Sequence, residues 1–379
     1  MKKKILVLTD TLPWGHRSIA KAIYGYLKTK EKENNWQVDY AEVKADTGIG
    51  GDLYTLAYRY LPASNMLAHK LMLNEQLREV VAKLSDINLP NLQKTVNRFK
   101  PDLVICCYFY HSHSLAGWKK KDARANFKLW TVVADPWTIN PVSYVEGADL
   151  HLVYDDYAVR QGVLIGIEKE KILKTGWWVR PQMYEKHNRE EMRKKLGLID
   201  GRPLVFVGGG SLGTYSLTRL LPVLMMVKKP VGVIFNTGTD KMAYNLVEEY
   251  IRIFKRLRRN DLVWIKNMGW IDNMAEVLSA CDIVFGKAGP NFLFDVVAVG
   301  KPLVAITHIG GQEDGNIDLI KKKHLGWVRE KGTEMTDMFL EFLDNPEMVK
   351  KLEKPIQEEA RNNQRTMRVV EKRIKEELG

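Results

Sequence analysis

The sequence is poor in cysteine, which excludes the classes of protein that depend on it. Only three cysteines occur among 379 residues. Cys106 and Cys107 adjoin within an apolar run, and Cys281 precedes another. This arrangement offers neither a disulfide framework nor the spacing of a metal site. We therefore expect buried thiols in a protein of a reducing, cytoplasmic compartment.

Long apolar runs are also absent. No stretch of about 18 apolar residues occurs, so the sequence predicts no membrane-spanning helix. The apolar run within "MKKKILVLTD" at the N-terminus is too short for a signal peptide and is typical of a first buried strand.

Acidic residues are outnumbered by basic ones. The formal net charge is +12, with 45% hydrophobic and 27% charged residues. This balance favours an anionic partner, which can be nucleic acid, an anionic membrane surface or a phosphorylated ligand. No RNA- or DNA-binding motif accompanies the charge, so we do not predict nucleic-acid binding.

What the chain does have is a rhythm of short apolar runs and amphipathic stretches. Apolar runs followed by helical patterns predict parallel sheets with crossover helices. The predicted strands form two series, at 4–9, 36–43, 102–108, 128–133 and 149–155, and then at 203–209, 231–238, 261–267, 282–287 and 302–308. The predicted fold class is α/β, with two doubly wound, Rossmann-like domains that face a cleft.

The predicted domains span residues 1–180 and 181–345. The join falls in 175–197, where a proline and a charge cluster are typical of a linker followed by a short helix. The remaining stretch, 346–379, is polar and helical apart from Pro355. It predicts a kinked helix that crosses back to the first domain.

Two glycine-rich junctions each follow a predicted strand and open a helix. They read "FVGGGSLGT" (206–214) and "GKAGPNFLFDVVAVGKP" (286–302). Glycines let the backbone approach a phosphate, and a helix start offers free N–H groups and a positive dipole end. Tight turns without a ligand are the alternative. The candidate phosphate-binding residues are Gly209, Gly210, Ser211, Gly213 and Gly289.

Polar side chains near the second junction suit a sugar nucleotide. Asp295 lies six residues after Gly289, and its carboxylate could accept both hydroxyls of a ribose. In "GGQEDGN" (310–316), the side chains of Gln312, Glu313 and Asn316 would share a helix face and suit sugar hydroxyls. A solvated helix acid and an ordinary capped helix are the alternatives.

Two further groups could move a proton. Gly15 and His16 open a helix after the first strand, and imidazole titrates near neutrality. Asp135 follows another strand and could orient His16, act as the base itself or cap a helix. A structural role is the alternative for His16.

One stretch, 47–84, departs from the α/β rhythm. It is rich in Leu, Met and Tyr with scattered basic residues, and Pro62 divides it into two helical pieces. It is either core-facing helix or a surface that enters lipid headgroups and holds an apolar acceptor. The candidate acceptor or membrane residues are Gly15, Tyr54, Tyr58, Leu61 and Met66.

Taken together, these stretches resemble one family. The segments "GHRSIAKAI", "VVADPWTINP", "GGGSLGT", "GWIDNM", "KAGPNFLFDVVAVGKPLV" and "GGQEDGN" stand in the order expected of the monogalactosyldiacylglycerol synthase and diacylglycerol glycosyltransferase group. That group is related to the peptidoglycan N-acetylglucosaminyltransferase. The resemblance covers roughly residues 1–345.

The resemblance implies a GT-B glycosyltransferase that uses a UDP-sugar and inverts the anomeric centre. Residues 1–180 would face the acceptor and membrane, and 181–345 would bind the UDP-sugar. Ile271 and Met274 would flank the uracil and Asp295 would bind the ribose. The glycine junctions would hold the diphosphate, while Gln312, Glu313 and Asn316 would contact the sugar. His16 would serve as the base or as an acceptor-site group, and Asp135 matches an acid in the equivalent loop of the family.

The implied acceptor is a membrane lipid such as diacylglycerol, which predicts a peripheral protein on the inner face of the cell membrane. No Asp-x-Asp motif or metal-ligand cluster occurs at these sites, so no cofactor and no metal are predicted. The sequence also departs from the family, which has a glycine run where this chain has "LPWGH". The alternatives are a transferase acting on a lipid-pyrophosphate or non-lipid acceptor, and a non-catalytic regulator that binds a nucleotide sugar.

Overall fold

The computed structural model describes residues 2–12, 15–44, 85–198, 200–208 and 219–379. The predictions for 47–84 and for Gly209, Gly210, Ser211 and Gly213 lie outside the described residues.

The first series of strands forms one parallel sheet of six strands in the order β2-β1-β3-β4-β5-β6. Its central strands are apolar runs, as parallel strands covered on both faces require, and Ile5 through Leu8 are at most 1% exposed. The strands are β1 (Lys3–Thr9), β2 (Trp36–Glu42), β3 (Leu103–Cys106), β4 (Lys128–Val132), β5 (Leu150–Val153) and β6 (Ile172–Lys174).

Amphipathic helices cover this sheet. The first buries Ile19, Ala20, Ile23 and Leu27, the spacing of a single apolar face. The helices are α1 (Gly15–Thr29), α2 (Leu89–Phe99), α3 (Phe109–Lys121) and α4 (Asp156–Leu164), besides a single turn at Glu31–Asn34 and 3-10 turns at Ser85–Asn88, Pro141–Ser143 and Lys169–Lys171.

The second series forms another parallel six-stranded sheet, in the order β12-β11-β10-β7-β8-β9. Two parallel α/β sheets confirm the predicted fold class. The strands are β7 (Leu204–Gly208), β8 (Val231–Asn236), β9 (Val263–Met268), β10 (Ile283–Lys287), β11 (Leu303–Thr307) and β12 (Gly326–Val328).

The helices of this second half are short and alternate with the strands. They are α5 (Arg189–Leu196), α6 (Lys241–Arg256), α7 (Met274–Ala280), α8 (Pro290–Ala298), α9 (Asp314–Lys322) and α10 (Gly332–Asp344), with 3-10 turns at Pro181–Tyr184, Pro222–Met226 and Pro346–Leu352.

The C-terminal segment holds two helices, α11 (Glu353–Gln364) and α12 (Thr366–Leu378). The predicted kink at Pro355 is wrong. Pro355 lies in the first turn of α11, where the missing N–H has no helical partner to lose, and the helical run instead breaks at Arg365.

By compactness the chain divides into two units. One comprises Met1–Pro181, Gly310–Gly315 and Asn362–Gly379, and the other comprises Gln182–Ile309 and Asn316–Arg361. The predicted domain boundaries stay predictions.

The first unit holds the last helix by specific contacts. The Tyr26 hydroxyl donates to Glu371 at 2.7 Å, and the Thr366 hydroxyl donates to the Thr175 carbonyl at 2.9 Å. Gly176 has φ +94°, and a Cβ there would lie 2.4 Å from Thr366 Oγ1. A side chain at this position would therefore push the C-terminal segment away.

All three cysteines are free and buried, as predicted. Within the part of the chain that the structure describes, no helix is both long and apolar enough to cross a membrane.

Candidate functional site

The strand order of the first sheet reverses between β1 and β3. In doubly wound sheets, ligands bind beyond the carboxyl ends of the strands at such a switch point. The two strands end at Thr9 and Cys106, so the residues that follow them are candidates for a site.

His16 lies at this switch point, in the first turn of α1 immediately after Gly15. Its ring meets the Tyr108 ring edge-on, with centroids 5.4 Å apart. Nδ1 of His16 is buried and has no hydrogen-bond partner among the described residues. Burial lowers the pKa of His16 to about 4, against a smaller opposing effect of the Cys107 backbone. The imidazole is therefore neutral at pH 7 and able to accept a proton.

Asp10 and His111 stand at the same switch point, and sequence reasoning missed them as site residues. Both are 0% exposed. Burial raises the pKa of Asp10 to about 7, and burial lowers the pKa of His111 to about 4. His111 Nε2 lies 2.9 Å from the Val43 carbonyl. The signal was available, because each residue follows the apolar run of a strand.

These groups carry unsatisfied polar atoms. Among the described residues, both carboxylate oxygens of Asp10, Thr9 Oγ1 and Nδ1 of His111 are buried without a hydrogen-bond partner. Buried polar atoms are normally paired, and clusters of exceptions mark places where a substrate or water completes the bonding. The first switch point therefore gathers buried polar side chains whose hydrogen-bonding capacity is not met by the described residues.

Asp135 follows β4, at the next strand end of the same sheet. Burial, and then the negative charge of Glu313, raise the pKa of Asp135 to about 7. Glu313 is 4% exposed. The structure therefore brings together two predicted site residues that are 178 positions apart in the chain, which spacing alone could not show.

The segment 310–315 that carries Glu313 fits closely against the loop after β4. The Gly315 N–H donates to Thr138 Oγ1 at 2.6 Å, and a Cβ on Gly315 would lie 2.5 Å from the Thr138 nitrogen. The expected helical placement of Gln312 and Glu313 is wrong, because α9 begins at Asp314. Gln312, Glu313 and Asn316 therefore do not share a helix face.

The second sheet has its switch point between β7 and β10, where the two glycine junctions leave the sheet. Gly208 pairs with Gly286 in register. A Cβ on Gly286 would lie 2.2 Å from the Gly208 carbonyl oxygen and 2.6 Å from the Phe292 ring. Only glycine permits this approach, so the backbones of the two junctions start side by side.

The second junction opens α8. Gly289 is the extended N-cap residue and has no side chain to occupy the helix N–H groups, and Pro290 is the first helical residue. These N–H groups and the helix dipole make the position suitable for an anion.

Asp295 lies in the second turn of α8 and is half-buried. It lies close enough to Tyr184 to help raise the pKa of that phenol, after the larger effect of burial. The Tyr184 hydroxyl is buried without a partner among the described residues.

Asn316 is 1% exposed, and its Nδ2 donates to the Ala288 carbonyl at 2.9 Å. The amide nitrogen thus fixes the loop immediately before Gly289. Its Oδ1 is buried with no hydrogen-bond partner in the described part of the chain, which leaves one oxygen for another contact.

Ile271 lies in the connection between β9 and α7, Met274 is the first residue of α7, and both are half-buried. The Asn273 side chain accepts a 3.4 Å bond from the Glu276 N–H and so begins α7. The Asn236 side chain donates to the Gly269 carbonyl at 2.9 Å, which fixes this connection to the carboxyl end of β8.

Each half of the chain matches a family model. Residues 16–179 match the monogalactosyldiacylglycerol (MGDG) synthase model, and residues 204–374 match the glycosyltransferase family 28 C-terminal domain. The chain is 23% identical over 354 residues to a protein named as a probable chloroplastic monogalactosyldiacylglycerol synthase of Glycine max, covering 90% of this chain and 65% of that one. It thus spans just under two-thirds of the length of that relative.

A bacterial relative and a solved structure cover more of their own length. A processive diacylglycerol beta-glucosyltransferase of Bacillus pumilus is 20% identical over 363 residues, covering 92% of this chain and 89% of its own. The structure of Anabaena Alr3699/HepE in complex with UDP and glucose superposes with a TM-score of 0.55 at 15% identity, covering 99% of each chain. The part of the chain that carries the first sheet is thus similar to the monogalactosyldiacylglycerol synthases, and the part that carries the second is similar to the C-terminal domain of glycosyltransferase family 28. The fold, two parallel α/β sheets, is that of these GT-B structural neighbours.

Proposed function

We propose that this protein transfers a hexose from a UDP-sugar to the hydroxyl of a membrane lipid such as diacylglycerol, with inversion at the anomeric carbon. One observation carries the proposal. Each matched domain has its own chemistry at its own switch point, with buried polar side chains in the synthase half and bare backbone in the family 28 half.

The second unit would bind the donor. The N–H groups at the start of α8, and the glycines at 209–213, would hold the diphosphate and stabilise its charge as it leaves. Asp295 would accept the ribose hydroxyls, and Ile271 and Met274 would flank the uracil. Oδ1 of Asn316 would contact the sugar. Gln312 and Glu313, which we also propose to contact the sugar, belong to the first unit.

The first unit would bind the acceptor. His16, neutral and beside Tyr108, would take the proton from the acceptor hydroxyl. The oxygen would then attack C1 of the sugar from the face opposite UDP. Asp135 is the competing candidate for the base, because a carboxyl with a pKa of about 7 is also matched to neutral pH.

The activity test is a donor panel of UDP-sugars, with UDP release measured in detergent micelles with and without diacylglycerol. Lipid-dependent release with one donor supports the proposal. If the protein binds UDP but releases none from any pair of donor and acceptor, it is better explained as a regulator. If UDP is released only with a lipid pyrophosphate, the acceptor is a lipid pyrophosphate and not diacylglycerol. Repeating the assay with EDTA tests the prediction that no divalent metal is needed.

We further propose peripheral membrane attachment through a surface of the second unit. Met225, Met226 and Leu257 are 42%, 56% and 51% exposed. Their two segments meet where Arg259 Nη2 donates to the Val227 carbonyl at 2.6 Å. Lys228, Lys229, Arg256 and Arg258 surround them in sequence. Apolar side chains ringed by cations suit an anionic bilayer surface.

Vesicle flotation tests this attachment. Met226→Ser with Leu257→Ser should reduce binding to anionic vesicles, whereas Met242→Ser should not, although Met242 is 77% exposed at the other end of α6. Equal binding of all three proteins would reject this surface without touching the transferase proposal.

A further inference from the structure

A cavity of about 640 Å³ lies in the second unit, at the edge of the second sheet. Its wall is formed by residues at the C-terminal end of α9, by the edge strand β12, and by the end of the 3-10 turn at 346–352 with the first turns of α11. A volume in this range is typical of small-molecule sites. The candidate donor residues Gly289 and Asn316 do not line it.

The wall is strongly basic. Lys321, Arg329, Lys351 and Lys354 face one carboxylate, that of Glu358, and His324 adds an imidazole. None of the three lysines forms an ion pair within the described part of the chain, although neighbouring lysines do: Lys323 pairs with Glu359 at 3.1 Å and Lys350 with Glu347. Among the residues that the structure describes, the pocket thus gathers more cations than the single carboxylate of Glu358 can neutralise.

The wall also has an apolar side. Trp327, Leu352 and Pro355 line the cavity, and Lys351 Nζ lies 5.5 Å from the centroid of the Trp327 ring. An aromatic face with an ammonium above it can hold an apolar group beside an anion.

The position of the tryptophan is fixed by the backbone. A Cβ on Gly326 would lie 1.8 Å from the Leu303 carbonyl oxygen. The edge strand therefore lies against β11 more closely than any side chain at 326 would allow, and Trp327 follows directly. The apolar wall is thus built into the sheet and does not depend on a loop.

We propose that this pocket binds a phosphate monoester carried on an apolar body, at a site separate from that of the sugar nucleotide. Several converging cations favour a doubly charged group over a single carboxylate. The phosphate could belong to a lipid headgroup or to a soluble phosphate ester, since both present the same chemistry.

The test uses the full chain and two charge-matched double variants. Lys321→Glu with Lys354→Glu reverses two charges in the pocket. The control, Lys322→Glu with Lys350→Glu, also reverses two charges. Lys322 is one position from Lys321 and Lys350 is four positions from Lys354, and neither lines the cavity. All four lysines are exposed, and thermal unfolding checks that each variant is folded.

Binding is measured by calorimetry with inorganic phosphate and with soluble short-chain phosphatidate, and by sedimentation with phosphatidylcholine vesicles with or without phosphatidate. The pocket variant should bind at least about thirtyfold more weakly than the control variant, as the loss of two cation contacts implies. Loss for inorganic phosphate as well as for the lipid assigns the pocket to phosphate esters in general; loss for the lipid alone assigns it to a headgroup. Equal binding by the two variants, or no binding of any probe, would overturn the proposal.

Discussion

The two switch points of this protein solve different chemical problems with different parts of the chain. At the first, between β1 and β3, side chains converge: Asp10, His16 and His111 are brought together where burial shifts their pKa values. At the second, between β7 and β10, side chains are excluded and glycine backbones lie against each other. Proton transfer needs titratable groups, whereas holding a diphosphate needs bare N–H groups.

The strongest test of this contrast is the removal of His16. If the first switch point provides the base, His16→Ala should lower kcat by about 10²–10⁴-fold while the affinity for UDP changes little. His187→Ala, in the second unit, is the control and should leave kcat within about twofold. A large loss of UDP affinity in His16→Ala with normal kcat would contradict the assignment of the base to the first switch point and of UDP binding to the second.

The corresponding test at the second switch point adds one methyl group to the backbone at Gly286. Gly286→Ala should destabilise the second unit by about 3 kcal/mol, because its Cβ would lie 2.2 Å from the Gly208 carbonyl oxygen. Gly332→Ala, where nothing lies within 4 Å, is the control. Thermal unfolding and UDP titration report the effect. An unchanged melting temperature in Gly286→Ala would show that the backbones do not need their close approach.

The pH dependence of kcat/KM decides which group of the first unit is the base. If His16 acts, its lowered pKa places the acidic limb near pH 4 and activity persists at pH 5. If Asp135 acts, its raised pKa places the limb near pH 7, and at pH 5 only about 1% of the carboxyl is ionised, a loss of about 100-fold. A limb near 7 that persists in Asp135→Asn would exclude both assignments.

The smallest expected effect concerns Asn316, which supports the glycine junction from behind. Asn316→Ala removes the donor to the buried Ala288 carbonyl and should cost about 1–2 kcal/mol of stability, with weaker UDP binding. Asn260→Ala, at an exposed turn, is the matched control. Equal UDP affinity in the two variants would mean that this loop holds its shape unaided.

The sequence predicts the strands better than it predicts the candidate site residues. The short apolar runs predict ten strands, and the central ones most strongly, because a strand buried on both faces has little freedom in composition. The two missed strands, β6 and β12, have three residues each and form sheet edges, and so carry almost no pattern.

Candidate site residues could be predicted where they follow a strand, but not where the site depends on two distant segments of the chain meeting. His16 and Asp135 could be found as polar groups at strand ends, and Asp10 and His111 by the same rule. The approach of Glu313 to Asp135 could not, because nothing in the seven residues "GGQEDGN" shows that 310–315 belong to the first unit. The helix start at Asp314 was misjudged for the same reason, since three- and four-residue spacing presupposes a helix that had not yet begun.

The last helix of the chain determines where the protein can be cut into fragments. Because Thr366 bonds to Thr175 and Glu371 to Tyr26, a fragment ending at residue 181 would lose the hydrogen bonds that hold α12 to the first unit. Neither half can be excised as one continuous piece of sequence. A chimera that exchanges acceptor halves between relatives must therefore carry the C-terminal eighteen residues, 362–379, along with the N-terminal half.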